Sequence, residues 1–527
     1  MTILHIARLV HTLDPAHGSA TGVLVEDGRV VAVGSAADLS ADRVIDHGDA
    51  VITPGLVDGH THPVHGLGIT AGVDLSTARD LGDVRAGLAS ARDRLEPGQW
   101  LRGWGLNPIV FAGVTPSAEA IGLVGVPGIV LLYDVHSAIA SPEALQIAGI
   151  DGPRDFASSA RIECDADGRP TGYLLESEAS RLVTKHLPAP IAEELASRFG
   201  ELLRAMADSG LTGMHAMDFN DPAHELVTLL EERGDLPVRI GFNPVLMPDH
   251  DDLDVVLAPQ GLSGRRWRVE GVKLFMDGTI DGGTAWLEYA DAHGEGLEPL
   301  WRDLDRFRDA LTRLHLAGVN CAVHAIGDRG IRETLAIFDD LRTQYGPLAR
   351  HRIEHIETLP DEVVSRFGHG AAAASVQPLH CTFFNRPDRS DSWSQRLGDI
   401  RVDHGFRWGE LRAAGAVVAL GSDWPIAPYD PRWTMADAQL RRHFDHADPT
   451  PLPSSSSALT ALQALEGYTT QAALASGEES HRGRLAPGFD ADLTVWADDP
   501  LTVDPQTLAE LPVVTTVVAG DPVALTA

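Results

Sequence analysis

His60 and His62 stand two residues apart in DGHTHP. On an extended backbone such residues face the same side, so their imidazoles would point together. Neutral imidazole is a common ligand for zinc and related ions. Three more groups of suitable chemistry lie far along the chain: His324 in NCAVHA, His355 in RIEHIE and Asp423 in LGSDW. Each alone reads equally well as a core histidine or a capping carboxylate. Gathered together, they would make a donor set for a transition metal.

Lysine adds to this. The chain carries 42 Lys plus Arg, yet lysine occurs only at Lys185 and Lys273. Lys273 sits inside the apolar run VEGVKLFM, where an ammonium is costly to bury and its pKa should fall. A neutral amine can add CO2 to give a carbamate, an anionic ligand with two oxygens able to bridge two cations. The alternatives are a lysine snorkelling from a strand end or pairing with Asp277.

These residues need elements to position them. From about residue 190 the chain alternates helical and strand-like stretches, with strands at 211 to 217, 237 to 242, 269 to 276, 319 to 325, 352 to 357, 372 to 377 and 416 to 424. VITPGLVDGHTH (51 to 62) reads as another strand running into a turn. Eight such repeats predict an α/β chain with a (β/α)8 TIM barrel, whose strand ends converge on one face and would unite the candidate ligands. Strand patterns also occupy both termini, with a hairpin around Asp27-Gly28. They predict a small β-sandwich domain formed by residues 1–52 and 485–527. The barrel is expected over 53–69 and 186–484. Residues 70–185, including part of the first barrel helix and the apolar strand-like run PGIVLLYDVHSAIAS, should be an inserted α/β subdomain roofing the active site. SSSS at 454–457 marks a loop.

Composition narrows the partners. Acidic residues number 75 and the formal charge is −33, which argues against nucleic acid or an anionic membrane bound through a basic surface. Three cysteines without CxxC spacing predict no disulfide framework and a cytoplasmic location. The N-terminal stretch lacks a signal-peptide pattern, and no apolar run is long enough to span a membrane. The expected partner is a small-molecule substrate, with a homodimer as one option.

VDGHTHP, GVKLFMDG, AVHAIGD, RIEHIE and LGSDWP, in this order, resemble the amidohydrolase superfamily. GVKLFM followed by VHAIGD is similar to the carboxylated-lysine strand and following histidine of its dihydropyrimidinase and hydantoinase branch. HSAIASPEALQIAGI, GRPTGYLLE, DGTIDGGTAWL, SVQPLH and GRLAPGFDADLTVW resemble amidohydrolase family 3, the N-substituted-formamide-deformylase-like group. The likeness spans nearly the whole chain. It implies a metal-dependent amidohydrolase that cleaves an amide or N-formyl-like C–N bond of a small molecule with a metal-activated hydroxide. His60, His62 and Asp423 would hold one divalent ion, and His324 and His355 a second. Carboxylated Lys273 would bridge this binuclear centre. Zinc is the expected metal, with manganese or iron as alternatives. Asp423 would be the catalytic proton carrier. Trp104, Asn107, His136, Asp281, Trp286, His380 and Trp424 are candidate substrate contacts, whereas His215 reads as structural. Gly283 stands where relatives carry arginine, and Asn107 where they often carry an acid; both changes are expected to touch the substrate pocket. One rival is a one-metal deaminase, for which a glutamate near His324 is expected and AIGDRG is found. A non-catalytic assembly protein of the same fold would be expected to have lost ligands, and none is lost.

Overall fold

A computed structural model of the chain describes residues 1–523 apart from 190, 220–221, 235, 371 and 454–457, so the expected SSSS loop lies outside the described residues. The fold is α/β with mixed sheets. Both termini build one eight-stranded sheet, in the order Asp521–Val523, Val513–Val518, Leu493–Trp496, Val51–Pro54, Thr2–His11, Ser19–Glu26 and Arg29–Gly34, with Arg43–Asp46 beside Thr2–His11. The hairpin turn falls at Asp27 and Gly28, both at positive φ (49° and 74°), as a tight turn with right-handed strand twist requires. Val10, Val23, Ile52, Leu493 and Val517 close a core within this sheet.

The stretch expected to run from 51 into the HTH turn as one strand is two. Val51–Pro54 joins the terminal sheet, and Leu56–Thr61 (β1) enters a different, parallel one. In that second sheet β1 pairs with Leu211–Ala216 (β2), which pairs with Arg239–Phe242 (β3), and Trp267–Val269 lies at its edge. A third sheet is also parallel: Gly271–Phe275 (β4), Asn320–Ala325 (β5), His351–His355 (β6), Ala372–Val376 (β7) and Val418–Leu420 (β8). These strands are buried almost throughout, as parallel strands covered on both faces must be.

Helices between them follow from apolar spacing. Ala192–Asp208 buries Leu195, Phe199, Leu203 and Met206, one stripe of a 3.6-residue period. Leu304–Leu316 starts where the Asp303 carboxylate accepts from the Asp305 and Arg306 amides, satisfying donors that the helix leaves open.

The two parallel sheets meet along two seams. Past β3, the Lys273 amide donates to Pro244 O (3.0 Å) and the Leu246 amide to Lys273 O (2.9 Å). At the other seam Asp423 N donates to His60 O (2.7 Å) and His62 N to Trp424 O (2.9 Å). Gly59 permits this approach, because a Cβ there would lie 2.6 Å from Leu420 O. Buried Asp58 adds a side-chain link, accepting from the Ser422 hydroxyl at 2.6 Å and from the Ser422 and His60 amides.

Residues 73–175 carry a six-stranded sheet of their own, with apolar clusters around Leu88 and Val130 and around Leu145 and Leu174. The apolar run at 127–141 is not one strand. It splits into antiparallel Gly128–Leu132 and Ser137–Ala140, and the turn between them carries Tyr133, Asp134 and His136. Among the described residues no helix is long and apolar enough to cross a membrane.

One buried contact ties helix to strand at the far end of β6 from His355. His315 and His351 meet at 2.8 Å between Nδ1 and Nε2, while Cys321 N donates to His351 Nδ1 (3.2 Å) and His315 Nε2 donates to Gly346 O (3.0 Å). Both rings are fully bonded when neutral. Burial, and then the neighbouring His315, pushes the His351 pKa down to about 3 from 6.5. Between those values the unfolded chain takes up the proton and the folded chain does not, so this contribution is complete above pH ~6.5 and declines as pH falls. His351→Gln should therefore be most destabilising, relative to wild type, at pH 8. The gap in urea melts should narrow by about 1.4 kcal/mol per pH unit below ~6.5. A gap independent of pH would show that His351 is not held neutral.

Candidate metal centre

The strand ends bring the predicted residues together. His60 lies on β1 with His62 just beyond it, Lys273 on β4, His324 on β5, His355 at the end of β6, and Asp423 three residues after β8. Lys273 and His60 have no exposed surface, and His324, His355 and Asp423 are buried. His60 Nε2 is 3.4 Å from Lys273 Nζ and 3.2 Å from Asp423 Oδ1, and His62 Nε2 is 3.1 Å from the same oxygen. Ring centroids are 4.8 Å apart for His60–His355 and 4.5 Å for His324–His355. Ligand atoms of His60, His355 and Asp423 all lie within 4.8 Å of one another. His355 and Asp423 adopt φ of +75° and +57°, conformations costly for residues with a Cβ and found where a site dictates side-chain direction. Lys273 does not pair with Asp277, whose carboxylate accepts from the Trp286, Ile326 and Gly327 amides.

Partners outside the cluster decide which nitrogens face it. The Glu354 carboxylate is 2.6 Å from His60 Nδ1. Burial alone would raise its pKa, but Arg352, His60 and Lys273 outweigh that and hold it ionised. An ionised carboxylate only accepts, so His60 carries its proton on Nδ1 and presents a bare Nε2. By the same logic His355 Nδ1 donates to Gln377 Oε1 (2.9 Å) and His324 Nε2 to Gly278 O (3.1 Å). Burial, the largest cause, depresses all three imidazole pKa values, the charge of Lys273 adds to it at each, and the rings stay neutral. The Asp423 carboxyl stays ionised, its pKa well below the ordinary carboxylate value despite its burial.

This arrangement fits a cation. The bare His60 nitrogen and Asp423 Oδ1 face each other at 3.2 Å with no proton to share. Among the described residues, Asp423 Oδ1 and His380 Nε2 are buried without a hydrogen-bond partner. Two lone pairs in such contact repel unless a positive ion lies between them.

A cavity of about 750 Å³ opens over the cluster, and His62, Lys273, His324, His355, His380 and Asp423 line its floor. His136 and Asp281 also line it. His136 Nδ1 donates to the buried Glu176 carboxylate (2.8 Å), and its ring lies 5.0 Å from that of His324. Asp281 accepts from the Tyr133 hydroxyl (2.6 Å), and burial pushes its pKa up to about 7.

The other four candidate contacts lie elsewhere. Asn107 accepts from the Ile109 amide and caps a short helix. Trp104 sits on the strand Leu101–Leu106 without reaching the cavity. The Trp286 ring stacks under the Arg329 guanidinium, and the Trp424 ring packs where a Cβ on Gly66 would fall. Gly283 is off the cavity too. Its φ is +68° and the space for a Cβ is taken by Glu295 (2.3 Å) and Arg396 (2.7 Å), so an arginine there would displace both. His215 is buried against Arg352, away from the cavity.

Glu354, Gln377 and Asp58 went unnoticed in the sequence. A visible signal existed for Glu354: RIEHIE places an arginine and a glutamate inside a strand too apolar to expose them. Glu354→Gln should weaken zinc binding about 10- to 100-fold in competition with a chelator, since the His60 tautomer loses its anchor. Unchanged affinity would dissociate Glu354 from that role.

Comparison with known proteins gives the family. A family model described as the amidohydrolase family matches residues 43–524. The chain is 29% identical to the putative amidohydrolase YtcJ of Bacillus subtilis, over 97% of both chains. It is 26% identical to the N-substituted formamide deformylase of Arthrobacter pascens, over 97% of this chain and 96% of that one. Its fold is similar to that of a metal-dependent hydrolase from Pyrococcus horikoshii, with a TM-score of 0.75 at 22% identity over 96% of this chain and 99% of that one. The chain belongs to the amidohydrolase family.

Proposed function

We propose that this chain hydrolyses an amide or N-formyl C–N bond of a small molecule at a divalent-metal centre held by His60, His62, Lys273, His324, His355 and Asp423. The observation that carries this reading is the 3.2 Å contact between His60 Nε2 and Asp423 Oδ1, with the other His60 nitrogen 2.6 Å from the Glu354 carboxylate. The name of the Arthrobacter relative, a formamide deformylase, supports the bond type. The two parallel sheets are read as halves of one closed (β/α)8 barrel, supported by the hydrogen bonds at both seams. The terminal sheet (1–52 and 485–527) is read as a separate β-sandwich, the barrel as 53–69 and 186–484, and 70–185 as the insert over the cavity. A cytoplasmic location is retained as part of this reading.

Divalent cations bound here, zinc ahead of manganese or iron for an imidazole-rich set, would polarise a carbonyl and lower the pKa of water. Two ions and a carboxylated Lys273 are the reading that suits the charges. A cationic lysine among three imidazoles would repel any ion they held, and carboxylation reverses that sign. Burial lowers the Lys273 pKa to about 8, against the opposing pull of Glu354 and Asp423. At pH 7 about a tenth of the amine is then free to react, several hundred times the fraction of an ordinary lysine.

The remaining chemistry belongs to the side chains. Ionised Asp423 would accept a proton from the attacking water and deliver it to the departing nitrogen. Apolar walls from Leu131, Met247 and Phe275 would keep bulk water from the bond being cut. The one-metal deaminase stays as a second reading, because the three ligands grouped within 4.8 Å suffice for a single ion.

A panel of N-formyl amines, acyl amides and cyclic amides, assayed with Zn²⁺ or Mn²⁺ and after chelation, should give metal-dependent turnover. Loaded protein inactive on all of them would refute the reading. Metal analysis should find about two ions per chain, whereas one would favour the deaminase-type centre. Lys273→Ala should lose metal and activity together, with partial rescue by small carboxylic acids; wild-type metal content would remove the bridge. Asp423→Asn should lower kcat by about 10² to 10⁴, and a rate near wild type would leave proton transfer to another group.

A further inference from the structure

We propose that Arg102 and Arg198 form a carboxylate-binding subsite on the upper wall of the cavity, so that the substrate is an amide whose far arm ends in an anion. This rests on the hydrolase reading of the same cavity and specifies its substrate class. Both arginines line the cavity, Arg102 from the insert and Arg198 from the helix Ala192–Asp208. Arg102 Nη2 donates to Gly68 O and Arg198 Nη2 to Leu67 O (3.1 Å), so adjacent carbonyls hold the two guanidinium groups side by side. They act on each other: burial and then the charge of Arg198 lower the Arg102 pKa, with no acidic group offsetting them.

Their lack of counter-ions is the telling feature. The chain has 75 acidic residues to 42 basic ones, yet among the described residues neither arginine contacts a carboxylate. Arg181, which also lines the cavity, pairs with Asp249. The wall also carries Asp134, Asp218, Asp281 and Glu357, and His136 is paired with Glu176, so away from the metal-site residues the arginine pair is the cationic surface without a carboxylate partner among the described lining residues. A guanidinium presents parallel N–H groups that match the two oxygens of a carboxylate. Leu67, Ile129 and Leu131 give that side an apolar lining, which suits a hydrocarbon spacer between amide and acid.

N-Formyl-6-aminohexanoate and N-hexylformamide differ only in a terminal carboxylate or methyl group, and they test this. Wild type should favour the acid in kcat/KM by about tenfold or more, mainly through KM. The double variant R102Q/R198Q should bring that ratio towards one. A wild-type ratio near one overturns the proposal and leaves the hydrolase reading standing, however well the variant folds. A ratio that the double substitution leaves untouched overturns it too. If neither compound is hydrolysed, the hydrolase reading is decided by the wider panel of amides, and calorimetric titration with adipate decides the subsite alone. Adipate binding weakened about tenfold or more in the double variant supports it. No binding to wild type, or equal binding to both proteins, overturns it, because equal binding would place the dicarboxylate on the metal centre.

Discussion

Glu354 has no exposed surface, and through it one hydrogen bond sets the whole centre. Its carboxylate fixes the His60 proton on Nδ1, which turns a lone pair towards Asp423 and Lys273. Gln377 and Gly278 do the same for His355 and His324. Were these partners absent, each ring could rotate or change tautomer and the donors would no longer converge. The cost is a buried charge, which Arg352 offsets from the same strand. A buried pair of this kind adds little to net stability, and its retention makes more sense as a device for aiming a ligand.

Around that point the fold supplies direction more than strength. Parallel strands end at one rim, and the strained φ of His355 and Asp423 turns their side chains inwards. Asp58 and the glycine at 59 hold the first and last of these strands close enough for His60 and Asp423 to touch. The insert then adds what the strand ends lack. Its strand-to-strand turn carries Tyr133, Asp134 and His136 to the cavity over the histidine cluster, with Val135 in a left-handed conformation between them. The insert thus shapes the ligand space and also delivers polar groups to it. Acidic side chains gather on one wall and a pair of arginines on another, so the cavity is polarised as well as apolar. Such a division of charge selects among amides by what they carry away from the scissile bond.

Local patterns already contained the residues that gather at the strand ends. Histidines two apart, a lysine in an apolar strand and an aspartate after another strand are anomalies that a hydrophobic core does not tolerate without reason. Helix and strand order was legible for the same cause, since burial period follows backbone geometry. The division at Gly55 was hidden because both halves of 51–61 are β-like, and only pairing tells which sheet each joins. The four candidate contacts that lie off the cavity lining do so for a related reason. An aromatic beside a catalytic segment in sequence, such as Trp286 or Trp424, can face either side of its loop, and packing against Arg329 or Gly66 took these two away from the cavity.

The sequence by itself determined which residues could bind metal, the βα order that would bring them together, and the family. Those follow from residue chemistry and from periods of two and 3.6 residues, which are local properties. Only the tertiary structure decided which ring nitrogens face inwards, that Asn107 and Gly283 lie off the cavity, and that Arg102 and Arg198 share one wall. Tautomers, charge pairing and cavity walls arise from contacts between segments far apart in the chain, and no local pattern encodes the distance across a space that several elements enclose.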